Sequence, residues 1–399
     1  MSSPPWSSPP IEDLASLHRL DRDRLTLFVC GPGQGEAILV ALPERGWLVL
    51  DGAGVGKRFA QLDVLARYRD EGEPVEAALL THPHHDHYRG FVEVLDELGD
   101  DVRRVGCLAL YFEDIGKSSP ELELRALESR IDADSPLDHL TGGARTVLER
   151  IRDEWATDPA RVLSLVSGVT IPVGTARVRA RVLAPERAAA AAFLRADDLG
   201  ARLGQRANEL SAVVELVFGA TRVVLGGDLP EVIRGGGAPA PTGWRTVCAA
   251  HGPQRAHSGL KVPHHGSKEA LAPCLIARSE PGTRAWAVTP FNRRPRLPSF
   301  DSAGGVDVLL EQEPELHLSA MPRAWTARSP LPPRVGRSDI RTAQVPGVAL
   351  PEVFSAPVPA GNRPGLTPDE CIWALCFDDT GALVARHRAR GATLVERRA

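Results

Sequence analysis

Directly after the apolar run Val75 to Leu80, the chain places His82, His84, Asp86 and His87 within six residues, in the stretch Thr81-His82-Pro83-His84-His85-Asp86-His87. His82 and His84 are two apart and can project to the same side of an extended loop, as two nitrogen ligands of one metal ion must. Asp86 and His87, where the chain should begin to coil, can then face a second ion. In such pairs the ions sit roughly 3.5 to 4 Å apart and share a water that they acidify into a hydroxide nucleophile. Pro83 stiffens the loop. The alternative is a polar loop that happens to be rich in histidine, in a chain with only 12 His among 399 residues.

The flanking segments say what positions these groups. Val75 to Leu80 reads as a buried strand. Tyr88 to Leu98 sets Phe91, Val94, Leu95 and Leu98 at helical spacing before Gly99, a helix stop. Downstream, the apolar run Ala212 to Leu225 reads as a strand ending in Gly226-Gly227-Asp228. Strand-like Leu260 to Val262 delivers His264 and His265 to a turn at Gly266. Asp51 ends the strand Trp47 to Leu50. It either bonds the far nitrogen of a ligand histidine and fixes its tautomer, or simply forms a turn before Gly52. Gly31, Gly33 and Gly35 fit a tight hairpin turn better than a phosphate loop, since no GxGxxG pattern follows.

The pattern HxHxDH after an apolar strand resembles the metallo-β-lactamase superfamily. This implies an α/β fold, an αββα sandwich of two facing sheets flanked by helices, with metals held by loops at one edge. Three further motifs resemble the ComEC-like branch, which is associated with DNA processing. Gly33-Gln34-Gly35-Glu36-Ala37-Ile38 is similar to its GQGDAI, with Glu36 in place of the Asp. Leu225-Gly226-Gly227-Asp228 resembles the strand end that supplies a metal-bridging Asp. Leu260-Lys261-Val262-Pro263-His264-His265-Gly266-Ser267 resembles LKVGHHGS. The resemblance implies two zinc ions, with manganese as the other candidate, held by His82, His84, Asp86, His87, Asp228 and His264. Asp86 and His265 become the catalytic groups, His265 as proton donor or substrate contact. Lys261, Ser267 and Lys268 stand available to contact phosphate.

Two departures from the family pattern stand out. Many members carry a further His before the bridging Asp, whereas the only imidazole between Tyr88 and Asp228 is His139, in a charged and poorly patterned segment. Asn208-Glu209-Leu210-Ser211 resembles the branch's NDNS, so Asn208 supplies the first metal with an oxygen ligand or with nothing. At Phe291 to Pro298, Leu297 stands where the branch has a His. Arg293, Arg294 and Arg296 beside Phe291 form either a basic patch at the rim or a solvated loop.

Composition bounds the rest. A chain of 399 residues, 43% hydrophobic and 25% charged, can bury a large core. Met1 to Pro10 lacks the features of a secretory signal, and no run approaches the ~18 apolar residues of a membrane span. Six cysteines, scattered singly, suit a reducing cytoplasm as buried small side chains. A net charge of −4 argues against a strongly basic nucleic-acid binder, although a local patch can do that work. The organisation reads as an N-terminal extension (1–24), a hydrolase domain (25–300) with an insertion at about 100–207, a Pro-rich linker or arm (301–368) and a small β element (369–399). The insertion should hold helices at Pro120 to Asp132, Gly143 to Trp155 and Ala188 to Leu194. The last element has a hairpin signal at Asp378-Asp379-Thr380-Gly381 between β-like runs, and it packs on the main domain or recruits a protein partner.

The leading functional expectation is a phosphodiesterase or nuclease acting on nucleic acid or nucleotide. A small carbonyl substrate such as a lactone, thioester or β-lactam is the alternative for the same chemistry. A partly degenerate scaffold or sensor is the reading from another class.

Overall fold

The structure, a computed structural model, describes residues 8–31, 35–55, 57–107, 157–194, 206–231, 243–251, 257–276, 284–291, 297–298, 305–313, 315–320, 340–342 and 368–397, with isolated positions between 146 and 154 and at 322. His139, the expected helix Pro120 to Asp132, the loop residues Gly33 and Gln34, Arg293, Arg294 and Arg296, and most of 301–368 lie outside them.

After β1 (Ile11–Asp13), the chain builds an antiparallel meander of β2 (Leu25–Cys30), β3 (Glu36–Ala41) and β4 (Trp47–Gly52). A two-residue pair, β5 (Gly54–Val55) and β6 (Arg58–Phe59), leads into α1 (Ala60–Tyr68). Then β7 (Val75–Leu80) lies parallel to β4, followed by α2 (His85–Tyr88), α3 (Phe91–Leu98), β8 (Val105–Cys107) and β9 (Val162–Ser164). Gly99 caps α3 where the spacing placed its end.

The second sheet starts with β10 (Thr170–Ile171) and β11 (Val178–Ala184). It continues through β12 (Val213–Phe218), β13 (Thr221–Leu225), β14 (Gly259–Lys261), β15 (Ala285–Val288), β16 (Glu315–Leu318) and β17 (Ile340–Thr342). The run Ala212 to Leu225, expected as one strand, is instead the hairpin of β12 and β13. Gly219 adopts φ 57° and turns the chain, so that Val214 faces Leu225. Hydrophobicity alone runs through such a turn, and the glycine marks it.

These strands are apolar on both faces because both faces are covered. Phe28, Leu39, Val49, Ala78 and Leu80 pack against Val64 and Leu65 of α1 and Phe91 and Leu95 of α3. Their alternates Leu27, Val29, Ile38, Val40, Leu48, Leu50 and Leu79 meet Val214, Leu216, Val223, Leu225, Ala285 and Ala287 of the second sheet. The far side of that sheet, with Val224, Leu260, Trp286 and Val288, is covered by Trp244 and Val247 of the helix Trp244–His251 and Leu309 and Leu310 of the helix Val306–Gln312. Helix, sheet, sheet, helix is therefore the layering. Each fully buried Leu or Val contributes about 1.5 to 3 kcal/mol toward holding it together.

The C-terminal strands are divided between the two sheets. β18 (Ile372–Phe377) lies beside β2, β19 (Leu383–Arg388) pairs back on β18 and receives β1, and β20 (Thr393–Arg397) crosses to β16 and β17. The intervening turn is held by Asp378, whose Oδ1 accepts from the amides of Thr380 (3.0 Å) and Ala382 (3.1 Å).

Cys248 and Cys274 are joined in a disulfide, with their Cα atoms 6.1 Å apart, which corrects the expectation of six free thiols. The bond ties the helix Trp244–His251 to Pro273–Ile276, a tertiary contact that cysteine spacing cannot reveal. Among the described residues, no helix is long and apolar enough to cross a membrane.

Candidate metal centre

β4, β7, β13, β14 and β15 all deliver chemistry at their carboxyl ends, at one edge of the sandwich: Asp51, His82, Asp228, the pair His264 and His265, and Thr289. β4 runs parallel to β7, and β13, β14 and β15 run parallel to one another, so these ends collect together. That edge is where open parallel sheets ordinarily bind their ligands.

Asp51 sits at φ 57° and organises the first-sheet side. Its carboxylate accepts from the Thr81 amide (2.7 Å), the Thr81 hydroxyl (2.7 Å) and His87 Nδ1 (2.8 Å). With Nδ1 donating to Asp51, the neutral form of His87 presents its Nε2 lone pair to the site. The Thr81 proton goes to Asp51, so the Thr81 oxygen accepts from His82 Nδ1 at 3.1 Å. One buried carboxylate thus sets two tautomers, His87 directly and His82 through a threonine. Of the two readings of Asp51, the geometry supports the orienting one.

Inside the site, His82 Nε2 lies 3.1 Å from His84 Nδ1 and 3.9 Å from Asp228 Oδ2. The same Asp228 oxygen is 3.3 Å from His87 Nε2 and 3.6 Å from His265 Nε2, so Asp228 stands between two groups of imidazoles. Its amide donates to Ser211 Oγ (2.8 Å), and that oxygen also lies 3.3 Å from His82 Nδ1. Two glycines permit these approaches. A Cβ on Gly227, at φ 49°, would fall 2.3 Å from Ser211 Oγ, and one on Gly35 would fall 2.8 Å from the Asp86 carbonyl oxygen.

His264 and His265 both adopt left-handed backbone, φ 47° and 52°. Such conformations are costly for non-glycine residues and cluster at functional sites. The rings part company as a result. His265 Nδ1 donates to the Thr289 carbonyl (2.8 Å), and its Nε2 lies 3.2 Å from Asp86 Oδ2. Phe291 stacks on it at 5.2 Å. His264 Nε2 instead meets the Asn208 side-chain amide at 3.1 Å, on the side of His84. This differs from the roles that the resemblance implied. It is His265, with both nitrogens engaged, that joins Asp86, His87 and Asp228, while His264 stands with Asn208.

Lys261, read as a phosphate contact, is fully buried against Glu36. Ser267 is buried as well, whereas Lys268 is exposed. Glu36, Thr81, Ser211 and Thr289 belong to the site although none was singled out as a site residue. Glu36 and Ser211 lie inside quoted motifs, which could have flagged them. Thr81 borders the histidine motif, and Thr289 carries no local signal.

The electrostatics split the site. Burial alone would depress His87, but the carboxylates of Asp228, Asp51, Asp86 and Glu36 outweigh it and hold His87 well above the ordinary imidazole range. His265 is raised, against its burial, by Asp228, Asp86 and Glu36. Burial pushes His82 well down, reinforced by His87 and His84, and burial likewise lowers His84 and His264. Asp228 and Asp86 are drawn below the carboxylate range despite burial, by His265 and His87. Buried anions and imidazoles in this density are the donor set of a cation site. Glu36, His87, Asp228 and His265 each offer a ligand atom within 4.8 Å of the others. His87 Nε2, Asp228 Oδ1 and Asn208 Oδ1 are buried without a hydrogen-bond partner, as atoms awaiting an ion would be.

Residues 30–166 match the family model of the metallo-beta-lactamase superfamily. The match takes in the histidine motif and ends before Asp228, so it covers the first-sheet half of the site. Among solved structures, a beta-lactamase domain protein from Burkholderia ambifaria is similar at 16% identity, over 50% of this chain and 50% of that one, with a TM-score of 0.26. This chain therefore spans about half the length of that structure, and a likeness so slight carries no argument. No curated protein matches.

Proposed function

We propose that the chain is a metal-dependent hydrolase whose substrate is a phosphodiester of nucleic acid or nucleotide. The observation that carries the metal reading is the buried convergence of His87, Asp228, Asp86 and His265, with His87 Nε2 and Asp228 Oδ1 left without a hydrogen bond. On this reading one ion is held by Asp86, His87 and His265. The other would be held by His82 and His84, with Asn208 or His264 as the further donor, and Asp228 is within reach of both groups of imidazoles. Bound there, two divalent ions would supply Lewis acidity for hydrolysis near neutral pH.

The chain's own residues do the rest. Asp51 presents His87 and His82 in the ligating tautomer. The Thr289 carbonyl holds His265 with Nε2 inward, and Ser211 fixes the backbone of Asp228. The nitrogen and oxygen donor set suits zinc, with manganese as the second candidate. The phosphodiester reading is supported by the GQGEAI and LKVPHHGS resemblances, and it is an argument from analogy.

The test is direct. Purified protein loaded with zinc or manganese is offered single- and double-stranded DNA, RNA, bis(p-nitrophenyl) phosphate and a panel of lactones. Phosphodiester cleavage that disappears in Asp228→Asn is expected. Lactone turnover without phosphodiester cleavage would sink the substrate reading. Protein that takes up well under one metal ion per chain would sink the metal reading and favour a scaffold or sensor.

A further inference from the structure

Lys261 occupies a position where β14 should carry an apolar residue. Its neighbours Leu260 and Val262 pack into the outer core, and Lys261 itself points between the sheets with no exposure at all. A buried ammonium costs several kcal/mol unless it is paired, and a well-packed apolar side chain there would serve stability as well or better. Its surroundings explain its presence. The ammonium contacts Glu36 Oε2, donates to the Gly227 carbonyl at 3.3 Å and lies 3.9 Å from Asp228 Oδ1. Thr289 donates its hydroxyl to the same Glu36 oxygen at 2.7 Å. Glu36 comes from the first sheet, whereas Lys261 and Thr289 come from the second.

Glu36 could itself offer a ligand atom, one of its oxygens lying within 4.8 Å of ligand atoms of His87, Asp228 and His265. Its Oε1 is 3.8 Å from His87 Nδ1 and its Oε2 is 3.6 Å from His265 Nδ1, behind the two imidazoles that turn their Nε2 atoms toward Asp86 and Asp228. Left to itself, it would be a competing anionic donor beside the metal centre. We propose that Lys261 is a positioning residue, a built-in counter-cation that holds Glu36 out of the metal-ligand set and so reserves the ions for Asp86, Asp228 and the imidazoles. The inference rests on the metal-centre reading above and concerns which carboxylates take part in it.

Zinc isotherms of the apo-protein, read by competition with a chromophoric chelator, test the idea. In Lys261→Met the freed carboxylate of Glu36 enters the ligand set, and the tighter zinc affinity changes by about tenfold or more. The double substitution Glu36→Gln with Lys261→Met removes the stray carboxylate and returns the isotherm to within about twofold of wild type, a rescue that a purely structural role for the lysine would not give. The double variant carries neither buried charge, so it decides the matter even if Lys261→Met alone does not fold. A double variant weakened by about tenfold or more would mean that Glu36 is itself a ligand, and would overturn the proposal. So would a Lys261→Met isotherm that coincides with wild type, or one that the second substitution does not restore. A wild-type protein that binds no zinc would remove the metal reading and this inference together, whereas wild type binding zinc with an unresponsive Lys261→Met removes this inference alone.

Discussion

Within a few ångströms, imidazoles on the two sides of Asp228 are tuned in opposite directions. His87 and His265 are surrounded by carboxylates and held above the ordinary imidazole range, while His82, His84 and His264 are held below it by burial first and then by neighbouring cationic groups, His87 and His265 foremost. The first side is an anionic trap that draws cations and, without one, draws protons. The second is a set of neutral imidazoles, with the Asn208 amide against His264. One motif in the sequence thus supplies two groups of imidazoles of unequal character, and the inequality comes from what other strands bring to each.

The largest effect should follow from Asp228→Asn, which weakens both sides. Loss of the shared carboxylate should cut phosphodiester turnover by about a thousandfold or more, the several kcal/mol that a bound ion supplies. Initial rates together with metal content check it. Asp51→Asn should lower metal affinity by about 10- to 100-fold, since an orienting carboxylate is worth that much. Because Asp51 sets His87 directly and His82 through Thr81, both phases of a zinc titration should shift, and a change confined to one phase would break the claim that it serves both. Asn208→His should sharpen the contrast from the other direction. A further imidazole beside His264 should tighten the weaker phase by about tenfold and leave the stronger one in place, as chelator competition would show. Ser211→Ala should have the smallest effect. It leaves the buried Asp228 amide without its acceptor, a cost of about 1 to 3 kcal/mol seen in thermal unfolding.

The elements carrying the first motif were legible because their signals are local. β7 is a short apolar run, α3 shows helical spacing, and Gly99 ends it. The hairpin of β18 and β19 was equally plain from its Asp-rich turn. Its destination was not, since nothing in Ile372 to Phe377 says that its partner is β2. In the candidate site, the types of the side chains that converge were legible, whereas the orientation of adjacent residues was not. His264 and His265 look interchangeable as letters, and only left-handed backbone at both separates their rings. Lys261 was misread for a related reason: a lysine beside a metal motif looks like a phosphate contact until its burial against Glu36 is seen. Cys248 and Cys274 show the same limit, because a disulfide between helices leaves no mark in spacing.

The path of the last strands also bears on when the protein can work. Thr26 and Cys376, 350 positions apart, touch in the first sheet. A chain emerging from the ribosome therefore makes every candidate ligand long before it makes β18 and β20, the strands that close both sheets. Contacts of such long range form slowly. Assembly of the candidate metal centre would thus be timed by the arrival of residues outside it, and a chain cut before β18 would carry every candidate ligand on two sheets that each lack a strand.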